Sequence, residues 1–169
     1  MPNLNIDALA REDVLPKWDD LVETPNPNSF LPPHDKSAYR QTLFVYGTLS
    51  LQHVLQKVLG LAHLPTFHEA SIRGYVLKMW GPYPAFVESE PFNPDVTVRG
   101  KAWVVQDDDQ LVLLKLYEGD NYRLKEVEVL IEGRSTAEPG YTFVWNSYID
   151  ELTEGVFDPS KFPVSAEHR

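Results

Sequence analysis

The chain contains no cysteine. Disulfides, thiolate nucleophiles and Cys-based zinc sites are therefore excluded. Basic residues are also scarce: 15 Lys and Arg stand against 25 Asp and Glu, a formal net charge of -10. A surface of that sign repels phosphate backbones and anionic lipid, so nucleic acid and membrane surfaces are poor partners. No apolar run approaches the roughly 20 residues of a membrane helix. Met1 to Glu23 lacks a basic region followed by an apolar stretch, and no Asn-x-Ser/Thr acceptor occurs. No secretory signal is expected, and the cytosol is the expected compartment. P-loop, dinucleotide and G-x-S-x-G signatures are missing as well. His63 and His68 are separated by Pro65 and share no helical face, which is poor spacing for a metal.

A length of 169 residues favours one domain, and a hydrophobic fraction of 43% is enough for a packed core. Six of the fourteen prolines precede Gln41, so residues 1–40 read as a separate N-terminal arm. Asp7 to Val22 suits a short helix kinked at Pro16, and Thr24 to Ser37 reads as extended loop. That arm either wraps the domain or leads into it loosely. Residues 41–149 form the expected domain. Residues 150–169 form a mixed tail with Phe157 and Phe162 as docking anchors.

Within the domain, Thr42 to Tyr46 is a short apolar run suited to a buried strand, ending at Gly47. Leu51, Val54, Leu55, Val58 and Leu59 recur at helical spacing, with Gly60 as the stop. Ser71 to Trp80 and Ala85 to Glu88 read as strands around the turn Gly81-Pro82-Tyr83-Pro84. Val96 to Val105 is a further strand, in which Gly100 predicts a bulge or tight bend. Asp107 to Asp109 cap a helix running from Leu111 to about Gly119. Tyr122 to Ile131 alternates dry and wet, and Tyr141 to Trp145 is the last strand. Many strands with two or three helices predict an α+β fold, a small bent sheet or barrel.

Two segments can carry chemistry. In Phe44-Val45-Tyr46-Gly47-Thr48-Leu49-Ser50 a buried strand stops at glycine and a helix soon begins. Backbone amides at such a junction can hold a carboxylate or an oxyanion; the alternative is an ordinary turn capped by Thr48 or Ser50. In Leu116-Tyr117-Glu118-Gly119-Asp120-Asn121-Tyr122-Arg123, Glu118 falls between Leu111 and Leu114 on the helical wheel. A carboxyl on that face is costly to bury, and burial raises its pKa toward the range useful for proton transfer. The alternative is a surface Glu118 paired with Lys115.

Taken in order, these segments resemble the gamma-glutamylcyclotransferase-like family. Tyr46-Gly47-Thr48-Leu49 is similar to its YG(S/T)L signature. Gly74-Tyr75 with Tyr83-Pro84-Ala85 resembles its GY…YPA stretch, and Arg99-Gly100-Lys101-Ala102-Trp103 a strand that carries a glycine. Tyr117-Glu118-Gly119 with Tyr122 resembles the (F/Y)EG…Y segment of the catalytic glutamate, and Tyr141 to Trp145 the closing strand. The likeness covers residues 42–149. Lys115 stands where the family often has an acid, and Leu124 where it often has arginine, with Arg123 one place early.

The resemblance implies a small mixed β-barrel with flanking helices and an enzyme that turns a gamma-glutamyl amine or amide into 5-oxoproline and a free amine. It makes Glu118 the catalytic acid/base and places Tyr46, Gly47, Thr48, Leu49 and Tyr122 against a small-molecule substrate, with no metal or organic cofactor. Two rivals stand beside it. One is an enzyme of the same fold acting on another amide or a secondary metabolite; the other is a non-catalytic small-molecule-binding module. A buried Glu118 facing an open pocket favours an enzyme, and a filled pocket favours the module. The sequence names no leaving group and no oligomeric state.

Overall fold

The computed structural model describes residues 40–164. The helix expected over Asp7 to Val22 and the loop over Thr24 to Ser37 lie outside the described residues.

The architecture is α+β. Five strands close into a barrel in the order β1 (Gln41–Val45), β5 (Thr97–Val105), β2 (His68–Arg73), β6 (Tyr122–Ile131) and β7 (Glu138–Trp145). All ladders are antiparallel except the closing one, where β7 runs parallel to β1 with Leu43 opposite Tyr141 and Phe44 opposite Thr142. Strands β3 (Tyr75–Trp80) and β4 (Tyr83–Glu88) form a separate hairpin. Among the described residues two α-helices, α1 (Gln52–Leu59) and α2 (Asp108–Glu118), flank the barrel. Among the described residues, no helix is long and apolar enough to cross a membrane.

Strand β1 is apolar on both faces because each face meets a different layer. Phe44 joins a cluster with Ile72, Phe86, Val129 and Val144, between barrel and hairpin. Leu43 and Val45 point the other way, to Leu49, Leu55, Trp103 and Leu114 under the helices. Successive side chains on a strand take opposite faces, so one short strand serves both clusters. The helix signals act as their chemistry requires. Gly60 ends α1 in the left-handed region at φ 62, and Asp107 caps α2 by accepting from the Gln110 N–H.

Three local expectations change. The run from Ser71 to Trp80 is two strands, split at Gly74, whose φ of 82 lets the chain leave the barrel for the hairpin. The turn between β3 and β4 takes only Gly81 and Pro82, since Trp80 already pairs with Tyr83. Gly100 makes no bulge: it pairs in register with Ala70, with Arg99 opposite Ser71 and Lys101 opposite Glu69 on either side. It is glycine because an added Cβ would lie 2.6 Å from the Phe44 ring and 2.6 Å from the Val45 carbonyl oxygen.

The tail returns to the hairpin. Thr153 bridges Met79, Phe157 packs on Phe162 with centroids 5.7 Å apart, and Phe162 packs on Tyr83 at 5.6 Å. Phe162 is also tied to α1, where its carbonyl lies 3.0 Å from His53 Nε2.

Candidate active site

Strand β1 ends at Val45, and the chain turns through Tyr46 and Gly47 into a single 3-10 turn, Thr48–Ser50. The first hydrogen bond of that turn runs from the Ser50 N–H to the Gly47 carbonyl. The amides of Gly47, Thr48 and Leu49 precede it, so the turn itself leaves them without an acceptor, and no side chain caps them. Helix α2 brings up its last residue, Glu118, from the other side. The two segments are joined by the Tyr117 hydroxyl, which donates to Thr48 Oγ1 over 2.8 Å.

Tyr46, Gly47, Thr48, Leu49, Glu118 and Tyr122 all border one cavity of about 300 Å³. The same cavity takes in Trp80, Tyr83, Pro84 and Tyr117, which the sequence did not single out as site residues. Tyr117 was signalled by its place beside Glu118. Trp80 was signalled only by its place beside the Gly81-Pro82 turn and Tyr83 by the Tyr83-Pro84-Ala85 motif; which end of a hairpin meets a cavity is set by packing.

Motif residues far apart in sequence lock together here. The Tyr46 ring stacks on Phe86 with centroids 3.6 Å apart; its hydroxyl donates to the Phe143 carbonyl over 2.6 Å and accepts from the Phe86 N–H. The Tyr122 hydroxyl donates to the Pro84 carbonyl over 3.0 Å. Pro84 also explains the glycine of the turn, since a Cβ on Gly47 would lie 2.7 Å from its Cγ. Gly47→Ala should therefore push β4 from the turn and cost about 1–3 kcal/mol, the usual scale of overpacking. A denaturant titration that finds no loss would show that Pro84 gives way freely.

Electrostatics centre on Glu118. Burial pushes its carboxyl from the ordinary 4.5 up to about 7. Among the described residues it joins no ion pair, and Lys115 one turn earlier is exposed. Desolvation, and behind it the Glu118 charge, raises the phenols of Tyr46 and Tyr122. Tyr117 is raised by burial, opposed by its Thr48 bond and reinforced by Glu118. All three phenols therefore stay protonated around one carboxyl. The departure at Leu124 and Arg123 also resolves spatially. Leu124 packs into the cluster under the helices, while Arg123 borders a different cavity beside Tyr75 and Phe86.

Comparison with known proteins identifies the family and the fold. The family model described as "Gamma-glutamyl cyclotransferase, AIG2-like" matches residues 43–160. A curated relative, AIG2-like protein D of Arabidopsis thaliana, is 32% identical over 124 residues, covering 69% of this chain and 75% of the relative. A solution structure of an Arabidopsis thaliana protein superposes with a TM-score of 0.58 at 26% identity, covering 74% of this chain and 83% of that one. A solved gamma-glutamyl cyclotransferase has the same fold, with a TM-score of 0.53 at 16% identity over 64% of this chain and 68% of that one. The chain therefore belongs to the gamma-glutamyl cyclotransferase, AIG2-like family.

Proposed function

We propose that the protein is a cyclotransferase that converts a gamma-glutamyl amine or amide to 5-oxoproline and releases the amine, with Glu118 as acid/base. One observation carries the reading: Glu118, half-buried with its carboxyl held near neutrality, borders the same small cavity as Gly47, Thr48 and Leu49, whose amides the turn leaves without an acceptor. The substrate's α-amine attacks its own γ-carbonyl, a step favoured by holding the two ends together. Glu118 takes the proton from that amine and returns it to the leaving amine. The turn amides hold the α-carboxylate or the developing oxyanion. Tyr46 and Tyr122 contribute rings to the wall, their hydroxyls being engaged with backbone. The chemistry needs neither a metal nor an organic cofactor, and we place it in the cytosol on the acidic, cysteine-free composition.

An open cavity at a carboxyl held near neutrality favours this reading over a binding module. The test is to incubate the purified protein with a panel of gamma-glutamyl compounds and assay for 5-oxoproline. Absence of 5-oxoproline from every member would overturn it. The same assay reads the pH dependence. Only ionised Glu118 accepts a proton, so kcat/KM should rise with pH through an apparent pKa of about 7. A limb centred near the ordinary 4.5 would contradict a buried base.

A further inference from the structure

We propose that strand β6 presents an open edge that takes up an extended segment of a partner protein, of the pattern basic–apolar–basic, by strand addition. The cavity at this edge shares no lining residue with the candidate active site, so the proposal does not depend on the cyclotransferase reading.

The ladder between β2 and β6 holds two register pairs, Ala70 with Ile131 and Ser71 with Leu130. Both strands run on past it: β2 pairs with β5 as far as Arg73, and β6 pairs with β7 as far as Tyr122. In the same register Arg73 would face Glu128, and that pair is missing. Backbone groups alternate sides along a strand. On the β2 side the Glu132 N–H donates to the Glu69 carbonyl over 2.8 Å; on the β7 side the Asn121 carbonyl accepts from the Asn146 N–H. Even-numbered residues of β6 therefore turn their backbone groups toward β2, and Glu126 and Glu128 do so where β2 has diverged. Pro139 fits this alternation: it stands opposite Glu128, at a rung that needs no N–H from β7.

A cavity of about 650 Å³ lies at the gap, bordered by Ile72, Arg73, Tyr75, Glu126, Val127 and Glu128. Its inner side is apolar, with Ile72, Tyr75 and Val127 buried. Its rim carries Glu126 and Glu128, both exposed and on one face of β6. Among the described residues neither joins an ion pair, and Arg73 is the one cation bordering the cavity, so the rim is negative. In an added strand, the side chains opposite these glutamates share the outer face, and the one between them points inward. Lysine or arginine suits the outer places, and an aliphatic side chain suits the inner one against Ile72 and Val127. Backbone pairing supplies affinity and the alternate side chains supply specificity. A second copy of this chain is a poor occupant, because each copy carries a net charge of -10.

The probe is a short fluorescein-labelled peptide of alternating lysine and valine, titrated into the full chain and read by anisotropy. It should bind about tenfold more tightly or better than a peptide of alternating glutamate and valine, or of lysine and glycine, each of which removes one element of the pattern. N-methylation of its lysine amides blocks the rungs to Glu126 and Glu128 and should weaken binding about tenfold, the scale of losing one or two backbone hydrogen bonds. The double variant Glu126→Ala, Glu128→Ala, with unaltered circular dichroism, should weaken the unmethylated probe by about tenfold. Equal binding of the three peptides, or of the N-methylated probe, would show charge attraction without strand pairing and overturn the proposal. So would the absence of binding, or a dimer in sedimentation that the double variant loses, which would give the edge to a second copy.

Discussion

Glu118→Gln should lower turnover of any gamma-glutamyl substrate by about two orders of magnitude or more, the usual scale for losing a general base. The amide keeps the size and much of the hydrogen bonding but cannot accept the α-amine proton. Stability should move the other way. The native carboxyl titrates at about 7 against an ordinary 4.5, so between those values the folded state holds a proton that the unfolded state has lost. Stability therefore falls as pH rises from about 4.5 to about 7, by about 3 kcal/mol in all, and then stays level. Glutamine at this position abolishes that slope. The variant should match the parent near pH 4 and exceed it above pH 7. Denaturant titrations at both pH values measure this, while 5-oxoproline release measures the chemistry. A variant that still turns over substrate would remove Glu118 from the mechanism and leave the fold untouched.

Phe86→Ala should be the most damaging change to the scaffold. The side chain is fully buried, and its ring meets Phe44 at 5.7 Å, Tyr46 at 3.6 Å and Tyr75 at 5.8 Å. Emptying such a site costs about 3–5 kcal/mol, set against a whole-domain stability of about 5–15 kcal/mol. Thermal unfolding should begin roughly 10 °C lower. Activity at a temperature where the variant is folded should also fall, because Tyr46 leans on this ring at the cavity wall. A loss below about 1 kcal/mol in urea would show that the hairpin contributes little to the common core.

Much of this was legible in the sequence where one residue decides locally. Asp107 caps α2 and Gly60 stops α1 by short-range chemistry, and the wheel position of Glu118 beside Leu114 follows from helix geometry alone. The features that were misread are decided at long range. Gly100 reads as a bulge or tight bend in its own strand; it makes no bulge, and its reason is the Phe44 ring arriving from β1. Gly74 sits in a run of strand formers whose pattern gives no hint of the positive φ that splits them. Trp80 and Tyr83 reach the cavity only because β4 packs across the end of β1 and β6, through Gly47 against Pro84 and Tyr122 on the Pro84 carbonyl.

The parallel seam between β1 and β7 bears on the order in which the molecule is made. Phe44 and Val45, from the first strand, share the cavity floor with Phe143, from the last, and the Thr142 hydroxyl donates to the Phe44 carbonyl across 98 positions of sequence. Such distant partners demand a costly loop closure and form late. During synthesis, a chain released only as far as β6 has both the segment that carries Tyr46 and the helix that carries Glu118, yet its cavity lacks the side that Phe143 supplies. Binding competence should therefore appear in one step as β7 joins β1, so nascent chains truncated before Tyr141 should capture no substrate analogue.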